Sequence, residues 1–89
     1  MATIERNEVL ATVCRHLAEI LEISASDISE SQTLADDLGA DSIALIELVD
    51  SLEQEFSASV PDFQFNDDDL PGLKTVADAV NYIARILGV

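Results

Sequence analysis

Basic residues are scarce in this chain of 89 residues, where four Lys and Arg stand against 18 Asp and Glu for a formal charge of −14 at pH 7. None of the four lies between Arg15 and Lys74. Nucleic-acid phosphates are held by clustered Lys and Arg, so the balance argues against direct nucleic-acid binding and points to cationic partners. One cysteine, Cys14, permits neither an internal disulfide nor a cysteine metal cluster. The longest unbroken apolar run, Ile43 to Ile46, is four residues, where a membrane-spanning helix needs roughly 20. Met1 to Arg15 has acids at Glu5 and Glu8 and polar breaks at Asn7 and Thr12, so it lacks a signal peptide's apolar core and an Arg-rich transit pattern. A cytoplasmic protein is expected. The three glycines are scattered, which leaves no glycine-rich nucleotide loop. His16 is the only histidine and has neither a second ligand at metal spacing nor a paired nucleophile, so it is read as a surface residue. The Asp67 to Asp69 run lacks the alternating ligands, central glycine and terminal glutamate of a calcium loop.

What the chain does have is apolar content of 48%, more than a disordered acidic segment carries. One compact domain over residues 1–89 is expected. Leu10, Val13, Leu17 and Ile20, flanked by Val9 and Leu21, recur at three- and four-residue steps and predict an amphipathic helix over Thr3 to Glu22. Cys14 lies beside that stripe and is expected to be buried rather than reactive. From Ile23 to Ala40 the periodicity gives way to Ser, Asp, Thr and Gly, with Ile28, Leu34 and Leu38 as anchors for a long ordered loop. Asp41-Ser42 is a cap signal that opens a second helix, with Leu45, Val49, Leu52 and Phe56 as its stripe and Ile46 beside it, ending near Phe56.

Ser57 to Lys74 holds both prolines, and only a short turn over Asp67 to Leu70 is expected before Pro71-Gly72 breaks it. Thr75 and Asp78 have the spacing of a capping box, and Val76, Ala79, Val80, Ile83 and Leu87 give a last apolar face to about Leu87. No alternating strand pattern occurs. The fold class read from the sequence is all-α, a four-helix bundle of three main helices and one short one.

The chemistry-bearing stretch is Leu38-Gly39-Ala40-Asp41-Ser42-Ile43, a glycine, a cap and a hydroxyl at the start of an acidic helix. Free N–H groups and the positive end of the helix dipole favour a phosphate there by roughly 0.3–1 kcal/mol. Asp-Ser before an apolar helix also occurs as plain capping. Glu47, Asp50 and Glu53 repeat every three residues beside the apolar stripe and are expected to face solvent. They form either an ordinary solvated face or an acidic surface that steers basic partners, with attraction screened over about 8 Å at physiological salt.

Asp36-Asp37-Leu38-Gly39-Ala40-Asp41-Ser42-Ile43 and the following Ala44 to Val49 closely resemble the attachment region of acyl carrier proteins. The resemblance extends to Leu52-Glu53-Gln54-Glu55-Phe56, Val60-Pro61-Asp62 and Thr75 to Ile83. It implies a four-helix bundle whose serine, here Ser42, receives 4′-phosphopantetheine from coenzyme A through a phosphopantetheinyl transferase. The arm's thiol then carries an acyl group as a thioester, and the protein itself is not an enzyme. The resemblance also implies that the second helix meets acyl-transferring or acyl-loading enzymes with basic surfaces, with Glu47 and Glu53 standing where members usually have acids. Asp41, Ile43 and Asp50 are expected to share that surface, and the short free-standing length suggests a monomer.

Two departures stand out. Ala44 replaces an acid common in fatty-acid members, and Val60 to Thr75 is longer and more aromatic, with Phe63 and Phe65 either packing under the loop or lining an acyl pocket or partner surface. A specialised carrier is therefore expected. An aminoacyl or peptidyl carrier, and an unmodified acidic interaction module, remain as alternatives.

Overall fold

The structure, a computed structural model, describes residues 5–89, at Asp67 the backbone only. Three α-helices, α1 (Arg6–Leu21), α2 (Ser42–Ser57) and α3 (Val76–Leu87), carry the core, and two 3-10 segments, Ala25–Asp27 and Asp67–Gly72, lie in the connections. This is the expected all-α arrangement with one short extra helix, plus a single 3-10 turn inside the first loop. Among the described residues the only extended pairing is an isolated antiparallel bridge between Thr33 and Thr75.

α1 packs against both α2 and α3. Its buried line is Val9, Val13 and Leu17, while Leu10 and Ile20 of the expected stripe pack only half-buried against it. The expected start at Thr3 lies outside the described residues. Glu22 has left the helix for the left-handed region, φ 57° and ψ 44°, and its N–H caps the carbonyl of Ala18. Cys14 is half-buried, and burial pushes its thiol pKa up. The surface reading of His16 is corrected: its side chain is 14% exposed, and Nε2 lies 2.8 Å from Oε1 of Glu55 on α2, an oxygen that also accepts from Arg15. An amphipathic histidine beside the α1 stripe is drawn against α2 because the two helices meet there.

The long loop has the order expected of it, with Ile28 and Leu34 buried and Leu38 half-buried. Its polar backbone is fastened to the start of α3. Leu34 donates to the Lys74 carbonyl at 2.8 Å, Val76 to Gln32 at 3.1 Å and Ala77 to Glu30 at 3.0 Å. Arg6 completes the fastening by donating to Glu30 and to Asn81 Oδ1, and it holds the Glu30 carboxyl below its ordinary pKa.

On α2 the buried residues are Leu48, Val49, Leu52 and Phe56. Leu45 is only half-buried because the first turns of α2 stand beside an open groove. The connection to α3 is organised by aromatic rings. Phe56 and Phe63 are 5.3 Å apart, Phe63 meets Phe65 edge-on at 5.6 Å, and Phe65 stacks on Tyr82 at 5.1 Å. Phe63 and Phe65 are 2% and 8% exposed, so the Phe-x-Phe pair packs under the loop. The turn expected over Asp67 to Leu70 continues through Pro71 to Gly72. The flanking bonds run from Asp69 N–H to Asn66 and from Leu73 N–H to Leu70, and neither needs the N–H that proline lacks. α3 opens on the expected capping box, in which Thr75 Oγ1 accepts from Asp78 N–H at 3.1 Å and Asp78 Oδ2 accepts from Thr75 N–H at 3.0 Å. Those bonds hold the Asp78 carboxyl below its ordinary pKa.

Candidate functional site

The approach to α2 is a tight set of turns. Leu38 N–H donates to the Thr33 carbonyl at 3.1 Å, Gly39 to Ala35 at 3.1 Å, and Ala40 to Leu34 at 2.7 Å. Gly39 sits at φ 72°, a region that glycine enters without a side-chain clash, and Ala40 behind it is buried. The chain thus arrives at Asp41 from a fixed direction. Asp41 is the N-cap: Oδ1 accepts from Ala44 N–H at 2.9 Å, and its carbonyl accepts from Leu45 N–H at 2.9 Å.

Because Asp41 does the capping, the hydroxyl of Ser42 is free of that duty. Ser42 is the first residue of α2 and is exposed. Among the described residues, the N–H groups of Ser42 and Ile43 have no hydrogen-bond acceptor. A groove of about 490 Å³ opens beside the serine, walled by Leu34, Ala40, Leu45, Leu70 and Leu73, with Lys74 also lining it. An accessible hydroxyl, free donors at a helix start and an apolar groove within reach suit a phosphate-linked arm that carries apolar cargo.

From Ser42 the exposed side of α2 continues through Ile43, 67% exposed, and Ile46, 55% exposed, with Glu47 and Asp50 open to solvent beside them. Glu53 departs from the expected strip. It is half-buried, and its Oε2 accepts from the Phe65 N–H at 3.1 Å, so this carboxylate ties α2 to the aromatic loop. Helical spacing placed Glu53 with Glu47 and Asp50, and only the path of the distant loop separates it from them. Sequence reasoning missed Lys74 beside the Ser42 groove for the same reason, since no local pattern links the two. It also treated Ile46 as an adjunct of the buried stripe, whereas Ile46 stands out in solvent. Among the described residues no cluster of His, Cys, Asp or Glu could hold a metal ion, and no helix is long and apolar enough to cross a membrane.

Comparison with known proteins agrees with this geometry. Residues 11–83 match the family described as "Phosphopantetheine attachment site". The acyl carrier protein of Acidothermus cellulolyticus is 35% identical over 92% of this chain and 92% of its own length. That of Thermotoga maritima is 40% identical over 93% of this chain and 96% of its own length. Among solved structures, an acyl carrier protein from Enterococcus faecalis superposes with a TM-score of 0.72 at 34% identity, covering 92% of this chain and 98% of that one. The chain belongs to the acyl carrier protein family and is a carrier of acyl thioesters on covalently attached phosphopantetheine, of the kind that serves fatty-acid biosynthesis.

Proposed function

We propose that residues 1–89 form one carrier domain in which Ser42 is the attachment residue. The supporting observation is the exposed Ser42 hydroxyl at the first position of α2, left free because Asp41 caps the helix. The bound group supplies a terminal thiol for the thioester. Gly39 and Asp41 fix the direction from which Ser42 is presented, and the free N–H groups of Ser42 and Ile43 face the phosphate end. Leu34, Leu45, Leu70 and Leu73 wall the groove where an acyl chain carried beside Ser42 leaves water, at roughly 25 cal/mol per Å² of apolar area buried.

The exposed face of α2 serves as the docking surface, where Asp41, Glu47 and Asp50 supply charge and Ile43 an apolar contact. Its partners are a phosphopantetheinyl transferase and acyl-handling enzymes with basic surfaces, drawn by the field of a chain with a net charge of −14. Glu53 is left out of the proposed surface because it is half-buried and its Oε2 accepts from the Phe65 N–H. The deciding experiment is the intact mass after incubation with coenzyme A and a broad-specificity transferase. The parent gains one phosphopantetheinyl group and Ser42→Ala gains none; a gain in both, or in neither, overturns the assignment.

A further inference from the structure

The four Lys and Arg residues of this acidic chain are not equivalent. Arg6 is engaged by Glu30 and Asn81, Arg15 by Glu55, and the Arg85 guanidinium lies over the Tyr82 ring, 5.5 Å from its centroid. Lys74 is exposed, and among the described residues its ammonium belongs to no ion pair. It lines the same groove as Ser42.

The backbone of Lys74 is fixed relative to the serine. Its carbonyl accepts from Leu34 N–H at 2.8 Å, and the Leu34 carbonyl in turn accepts from Ala40 N–H at 2.7 Å, two residues before Ser42. On the other side, the Lys74 N–H donates to Asp78 Oδ2 at 3.0 Å. Two hydrogen bonds therefore connect the root of this side chain to the turn that delivers Ser42, while its four-carbon stem remains free to swing. The other charged residues lining the groove, Asp36 and Asp41, are negative. Asp78, which takes the Lys74 N–H and whose carboxyl the Lys74 charge helps hold down, adds a third negative charge nearby. A phosphodiester placed there is repelled by all of them and attracted by one flexible point charge of the kind that binds phosphate.

We propose that Lys74 is a positioning residue: its ammonium pairs with the phosphodiester on Ser42 and holds the root of the arm toward the groove rather than toward the exposed Ile43–Glu47 face. This rests on Ser42 as the attachment residue. In the resting carrier the pairing keeps cargo near the apolar groove walls. A partner that brings its own cations to the phosphate competes with Lys74 and releases the arm.

Lys74 is the only lysine in the chain, so lysine-selective isotope labelling gives one side-chain ammonium to follow. The experiment compares apo and holo protein, the latter made with coenzyme A and verified by mass. Expected results are a Lys74 titration midpoint that is higher in holo than in apo protein and a ³¹P phosphodiester signal that shifts as Lys74 titrates. Both effects shrink at about 1 M salt, where screening acts over about 3 Å. Lys74→Gln keeps the backbone bonds but loses the ³¹P shift, and Lys74→Arg keeps the salt-sensitive contact without the titration. An identical Lys74 signal in apo and holo protein, or a Lys74→Gln ³¹P signal that coincides with the parent's, overturns the proposal while leaving Ser42 as the attachment residue. Absence of the mass gain overturns both, and is read before any spectrum.

Discussion

At its C-terminal end α2 is clamped from several sides: Glu55 takes Arg15 and His16 from α1, Glu53 takes the Phe65 N–H, and Phe56 packs against Phe63. At its N-terminal end the side chain of Asp41 is the one that caps the helix, and Ser42, Ile43, Ile46 and Glu47 stand in solvent. One helix of 16 residues thus divides its labour along its length. Packing duties are concentrated at the C-terminal end, which leaves the end that presents the serine exposed, as the proposed attachment and docking roles require. Residues at the two ends should accordingly respond to substitution in opposite ways, in stability at one and in function at the other.

The largest effect is expected from Phe63→Ala. Phe63 is 2% exposed and touches both Phe56 and Phe65, so truncation removes the centre of the aromatic ladder. Loss of a buried phenyl group costs about 3–5 kcal/mol, against a total of about 5–15 kcal/mol for a typical domain. Urea unfolding should show a sharply lowered midpoint. Phosphopantetheinylation of Ser42 should fall only in proportion to the folded fraction; a larger fall would mean that the two ends of α2 are coupled.

Asp41→Ala tests the sparse end. Its carboxylate is the side-chain cap of α2, and losing such a cap costs about 0.5–2 kcal/mol. The same change frees the Ala44 N–H and loosens the turn that aims Ser42, so modification by the transferase should slow by more than the loss of stability explains. Asp41→Asn, which retains an acceptor for the cap, should restore most of the stability. The comparison between ends fails if Asp41→Ala proves as destabilising as Phe63→Ala.

These ends also differ in how well the sequence reveals them. The cap at Asp41, the glycine turn and the Thr75–Asp78 capping box are legible because each is closed by groups within a few residues of one another. The position of Ser42 at the start of α2 is legible for the same reason, whereas its role as the attachment residue comes from the family resemblance and stands as a proposal. The clamped end is not legible in that way. Glu53 looks like a third member of a solvent-facing acidic strip until the loop brings the Phe65 N–H to it, and His16 looks like a surface residue until α2 brings Glu55. Leu48 rather than Leu45 belongs to the buried line for a comparable reason, since helical period fixes the spacing of a stripe but not which neighbour covers it.

A smaller effect, specific to pH, is expected at Glu55. Partial burial pushes its pKa up, but hydrogen bonds from His16 and Arg15 outweigh that and leave the carboxyl below its ordinary value. A group with a lowered folded-state pKa contributes stability that is present above its unfolded pKa and is lost as pH falls through the folded one. Glu55→Gln should therefore lower stability at neutral pH by at most about 1 kcal/mol, because the pair is substantially exposed. It should leave the variant with a shallower decline on acidification below the ordinary glutamate range. Thermal unfolding of parent and variant from pH 7 downward measures this, and parallel curves would show that the clamp carries no linked proton.

The smallest change in stability is expected at Ile43→Ser and Ile46→Ser, and here the contrast between the ends becomes sharpest. Both side chains are large, apolar and more than half exposed, so truncating them removes little buried surface. Serine and isoleucine also have similar helix propensities. The unfolding midpoint should move by no more than about 0.5 kcal/mol in equivalent free energy. Yet these residues lie on the face proposed for docking, beside Ser42 and flanked by Glu47 and Asp50, where apolar contact would follow electrostatic encounter. The Michaelis constant of a partner enzyme for the loaded carrier should therefore rise in both variants, with the rise persisting at high salt, whereas the effect of Glu47→Lys should fade there. If the two isoleucine variants unfold early instead, the serine-bearing end of α2 is held by its apolar surface as well as by its cap, and the division of labour along the helix does not hold.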